Sequence, residues 1–106
     1  MTMSSQAKRG FEYLDIWAIS NSRSEILINV KNIGTIEAII TKILIEGKPL
    51  NAVNGGRSNP RTPIYLKERG SETIILNFSS SLPAGITNMV LYTYSGKEYP
   101  KTVVIT

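Results

Sequence analysis

Catalysis and metal binding draw on a short list of side chains, and this chain lacks two of them. It contains no histidine and no cysteine. That removes the usual general base, the thiolate and imidazole metal ligands, and the nucleophile–base pairs of Ser-His-Asp and Cys-His sites. The carboxylates are Glu12, Asp15, Glu25, Glu37, Glu46, Glu68, Glu72 and Glu98. No two of them share a motif, and the alternating Asp and Asn of a calcium loop are missing. Asp15 interrupts the apolar run between Leu14 and Ile16, which suits a bulge or edge position better than a catalytic acid. The stretch NGGRSNPR, residues 54–61, sets two arginines among glycines and has the ingredients of an anion cradle. It lacks the phosphate-loop pattern and a strand-to-helix context, so an ordinary loop is the simpler reading. Asn77-Phe78-Ser79 is a formal N-glycosylation acceptor. These residues predict no catalytic, cofactor or metal site.

Binding chemistry is better represented. The formal net charge is +4, which favours acidic partners, but the basic residues are dispersed and form no run of five. Tyr92, Tyr94 and Tyr99 with Lys97 and Lys101 are the ingredients of a stacking platform for single-stranded nucleic acid. A tyrosine-rich hairpin serves equally well as a protein-interface anchor.

The elements that must position these groups are strands. A length of 106 residues suits one domain with one core, expected over residues 11–106. The lead-in MTMSSQAKRG is polar, without the apolar core of a secretory signal, and residues 1–10 are expected to be disordered or added for expression. No stretch approaches the apolar length of a membrane-spanning helix. FEYLDIWAIS (11–20), EILINVKN (25–32), IEAIITKILIE (36–46) and SETIILNF (71–78) read as strands, and 86–106 as a hairpin turning at Ser95-Gly96. Ile26, Ile28 and Val30 form one inner face, and Ile74, Leu76 and Phe78 another. Gly34 is expected to supply a positive φ in the turn NIGT, and Trp17 to fill the core. Pro100 marks an edge strand, and NAVNGGRSNPRTP, residues 51–63, a long loop. Short strands with turn chemistry between them predict an all-β fold, an immunoglobulin-like β-sandwich of about seven strands.

One strand is apolar on both sides. Strict alternation through 36–46 places Ile36, Ala38, Ile40 and Leu44 on one face and Ile39, Ile43 and Ile45 on the other. The following strand sets Met89 and Leu91 against Val90, Tyr92 and Tyr94. A sandwich strand needs one apolar face, so a second one requires a cover. The chain's own segment 51–70, a second copy or another protein are the three candidates. Ile39, Ile43, Ile45, Val90, Tyr92 and Tyr94 are the expected protein interface. Ile43→Lys is then expected to spare the fold and weaken association.

INVKNIGTIEAIITKILIEGKPL and NMVLYTYSGKEYPKTVVIT resemble the extracellular β-sandwich domains of the archaeal type IV pilin-like superfamily. Lys31, Asn32, Gly34, Thr35, Ile45 and Gly47 match its KN-x-G-T and I-x-G pattern, and Tyr92 and Gly96 its late Y-x-x-x-G hairpin. Within that group the chain is most similar to the F- and G-type accessory proteins of the archaellum. The resemblance implies a non-enzymatic module at the cell surface that self-associates or contacts the S-layer as part of a stator. It also implies anchoring through an N-terminal hydrophobic helix that has no counterpart in this chain, and Asn77 as a glycan site. The competing expectations are a basic OB-like barrel that binds nucleic acid and an archaeal virus structural protein.

Overall fold

A computed structural model describes residues 10–106. The expectation for residues 1–10 lies outside the described residues except at Gly10. Nine strands follow in chain order: β1 (Leu14–Ser22), β2 (Glu25–Asn32), β3 (Ala38–Ile45), β4 (Lys48–Pro49), β5 (Arg57–Asn59), β6 (Ile64–Leu66), β7 (Ser71–Asn77), β8 (Gly85–Thr93) and β9 (Glu98–Ile105). The first sheet runs β1-β2-β7-β5. The second runs β4-β3-β8-β9, with β6 also paired to β3. Every pairing is antiparallel. With β4 and β6 set aside, this is the ABED-over-CFG strand order of an immunoglobulin-like sandwich. The unforeseen strands are β4, β5 and β6, each only two or three residues long. Two of them lie in segments that composition marks as turn and loop.

Alternation builds the core between the sheets. Ile26, Ile28 and Val30 of β2 face Ile74 and Leu76 of β7 across an unbroken ladder, and all five are buried. Met89, Leu91, Tyr99, Val103 and Ile105 supply the opposing layer from β8 and β9. Fully burying a side chain of this size stabilises by roughly 1.5–3 kcal/mol. Pro100 lies on β9, which pairs only with β8, so its missing N–H costs no ladder bond. Gly96 closes that hairpin at φ +92.

Two expectations fail. Trp17 is 51% exposed and stands on the outer face of β1, while its neighbours Leu14 and Ile16 point inward. Alternation from Leu14 decides its side, and aromatic bulk does not override it. Gly34 is not among the positive-φ residues. It is required for a different reason: a Cβ there would stand 2.5 Å from the carbonyl oxygen of Phe11 and 2.6 Å from the amide of Tyr13.

Candidate functional site

The doubled apolar face of β3 resolves into one residue of irregular pairing. Ile40 is opposite Thr93, but Lys42 is opposite Tyr92, so Thr41 is an extra residue in the β3 side of the ladder. Such a bulge shifts the inward phase by one. Before it Ala38 and Ile40 point into the core, and after it Ile43 and Ile45 do. Ile43 and Ile45 are 3% and 1% exposed and therefore are not surface residues. Leu44, expected on the side of Ile40, turns outward and is half-buried. Of the expected interface, Ile39, Val90 and Tyr92 stay on the outer face, half-buried, and Tyr94 is 80% exposed.

Cross-strand register shows what that outer face carries. Pro49, Leu44, Val90 and Pro100 form one row across β4, β3, β8 and β9. Lys42, Tyr92 and Glu98 form the next row, with the Lys42 ammonium 4.7 Å from the centre of the Tyr92 ring. Tyr65 lies opposite Ile39, and Ile86 opposite Val104. Ile86 is 70% exposed, and Tyr65 and Val104 are exposed as well. The segment 51–70 does not cover these side chains. Its β5 joins the first sheet beside β7, and its β6 extends the second beside β3. A smaller apolar row, Ile19, Leu27 and Ile75, crosses the outer face of the first sheet, with Trp17 one row away.

The expected nucleic-acid platform is divided by the same alternation. Tyr92 faces outward, whereas Tyr99 is buried and Lys101 occupies the inward-facing side of β9 opposite Met89. Tyr99 donates its hydroxyl hydrogen to Glu12 Oε2 at 2.8 Å. Lys97 donates to the Glu12 carbonyl oxygen at 2.8 Å. An inward charge on an edge strand is a known guard against edge-to-edge pairing.

Glu12 is the residue that the sequence under-reports. It precedes β1 in phase with Leu14 and Ile16, and is buried with them. Its carboxylate accepts hydrogen bonds from Thr93 Oγ1 at 2.7 Å, Tyr99 at 2.8 Å and Ser95 at 2.9 Å. Extending the alternation of β1 backward by one step finds it. Burial, then hydrogen bonding to Glu12, then the charge of Glu12 push the Tyr99 phenol well above its ordinary value. The cluster joins the lead into β1 to the β8–β9 hairpin. Three hydroxyls, from β8, the turn and β9, converge on one carboxylate ahead of β1, and the arrangement serves as a clamp.

The KN-x-G-T stretch is also structural. Buried Asn32 donates from Nδ2 to the carbonyl oxygens of Ile36 (2.8 Å) and Leu66 (2.9 Å). Its Oδ1 accepts the Gly34 amide hydrogen at 3.0 Å. Gly34 passes against the backbone of 11–13, and the Thr35 hydroxyl accepts the Phe11 amide hydrogen. Asn77 is exposed at the last position of β7, opposite Arg57. Among the described residues no group of His, Cys, Asp and Glu is arranged to hold a metal ion, and no helix is long and apolar enough to cross a membrane. Compared with family models and with curated proteins, the chain matches none.

Proposed function

We propose that the protein is a non-enzymatic β-sandwich module that makes protein–protein contacts through the outer face of its second sheet. The observation that carries this reading is the uncovered apolar surface on four adjoining strands, from Pro49 through Leu44 and Val90 to Pro100, with Tyr94, Ile86 and Val104 around it. Contiguous exposed apolar area of this kind marks interaction sites, and tyrosines are favoured anchors within them. Prolines on β4 and β9 keep the sheet from extending by edge pairing, so association through flat faces is favoured over fibre growth. A second copy or an envelope protein is the partner. The resemblance to archaellum accessory domains supports a place outside the cell, in a surface appendage or its S-layer contact. Asn77, exposed on the other sheet, is then open to glycosylation without obstructing the contact face.

Sedimentation velocity over a range of concentrations tests the reading. Wild type is expected to associate, and Ile86→Glu combined with Val104→Glu to sediment as a monomer with an unchanged unfolding midpoint. A wild type that stays monomeric, and that captures no envelope protein in a pull-down on which the double variant differs, removes the proposal.

A further inference from the structure

Arg57 and Arg61, conspicuous in the sequence, play no part in the contact face. Both are exposed, and both line two adjoining clefts beside β5. Lys42 adds a third cation to the larger cleft. No aspartate or glutamate lines either one. Cations gathered without a carboxylate repel one another, and an anion from outside relieves that repulsion. The base is firm. Arg57 and Ser58 pair with Asn77 and Leu76 of β7, and Gly56 packs so closely that a Cβ would meet Phe78 at 2.9 Å and the Leu50 carbonyl oxygen at 2.6 Å.

The cleft is too large for a bare ion. Its volume is ≈ 460 Å³, within the roughly 300–1,000 Å³ of small-molecule sites. Ile43, Pro49 and Leu50 form an apolar wall, and Asn51, Ser58 and Thr62 add an amide and two hydroxyls. Guanidinium forks match the paired oxygens of a tetrahedral oxyanion, and two of them with a lysine suit a doubly charged phosphate better than a single carboxylate. We propose that this cleft binds a phosphate monoester on a sugar-sized polar body. Arg57 and Arg61 take the phosphate, while the wall and the hydroxyls take the sugar. The cleft shares Lys42 and Pro49 with the rim of the contact face, but Arg57 and Arg61 lie outside it, so a failure of phosphate binding in the arginine variants leaves that reading untouched.

Glucose 6-phosphate, titrated at constant ionic strength and followed by amide chemical shifts, is the probe. Saturable shifts are expected at Gly56, Arg57, Ser58 and Thr62, and Arg57→Ala with Arg61→Ala is expected to weaken binding at least about tenfold. Arg57→Lys with Arg61→Lys keeps the charge but loses the forks, and is expected to fall between. It decides the matter if the alanine pair fails to fold. Equal binding of glucose overturns the anion assignment, and equal binding of inorganic phosphate overturns the sugar-sized ligand. Shifts that persist unchanged in both arginine variants overturn the site.

Discussion

One hairpin, β8–β9, has two sides that meet water on opposite terms. Its inward side carries Thr93, Tyr99 and, in the turn, Ser95, all hydrogen-bonded to Glu12. Its outward side carries Val90, Tyr92, Tyr94, Ile86 and Val104, with no described element over them. Polar groups inside are matched: among the described residues no buried side-chain nitrogen or oxygen lacks a partner. Apolar groups outside are unmatched. An interior complete in this way needs nothing further to fold, so the outer apolar rows are free for a purpose other than stability.

The sharpest way to break the contrast is to exchange its sides on β3. Ile43→Lys places an ammonium among core aliphatics with no carboxylate in its row, and is expected to cost about 4 kcal/mol or more. Ile39→Lys, one bulge earlier and on the outer face, is expected to cost no more than about 1 kcal/mol. Urea denaturation of the two variants checks both. Comparable midpoints would mean that the bulge at Thr41 is misplaced and that β3 keeps one phase throughout.

That pair also shows where sequence reading ends. β2 and β7 are legible because nothing breaks their alternation, and Ile26, Ile28, Val30, Ile74 and Leu76 fall inside as their spacing says. β3 alternates as well on paper. A one-residue bulge leaves no mark in composition, so Ile43 and Ile45 read as surface and Leu44 as core. Trp17 and Glu12 were both legible by the same rule and were obscured by residue type: large aromatics are usually inside and glutamates outside. β4, β5 and β6 are too short to show a period, and only tertiary pairing holds them. The outer face of the second sheet was legible in part, as Val90, Tyr92 and Tyr94, because β8 has no bulge of its own. The arginine cleft was legible as residues, but not as a cavity, since Lys42 and Leu50 reach it from outside the 54–61 loop.

A middle-sized effect tests the interior polar half of the comparison. Asn32→Ala deprives the carbonyl oxygens of Ile36 and Leu66 and the amide of Gly34 of their partner at once. The expected loss is about 3 kcal/mol, since each buried unsatisfied group costs roughly 1–3 kcal/mol and water can reach some of them after relaxation. Hydrogen exchange is expected to rise first in 33–36 and 64–70, the two segments that Asn32 joins. A loss confined to β2 itself would show that Asn32 acts as a strand residue and not as a clamp between loops.

The smallest effect separates the Glu12 cluster from ordinary packing. Tyr99→Phe keeps the ring in place and removes one of the three hydroxyl donors to Glu12, while Thr93 still serves the same oxygen. At neutral pH the cost is expected to be about 1 kcal/mol. The pH dependence is more telling. The Tyr99 pKa is raised in the folded protein above its ordinary value of 10.0, chiefly by burial and then by Glu12, so the folded state holds the phenolic proton more tightly than the unfolded state does. Its contribution is therefore fully present below the unfolded value and is lost as pH rises through the folded one. Denaturation midpoints of wild type and Tyr99→Phe are expected to differ by a constant amount from pH 7 to about pH 9.5 and to converge above it. The difference between the two curves cancels the contribution of every group that the two proteins share. Curves that stay parallel through pH 11 would mean that Tyr99 ionises as freely in the fold as outside it, and that Glu12 does not hold its proton.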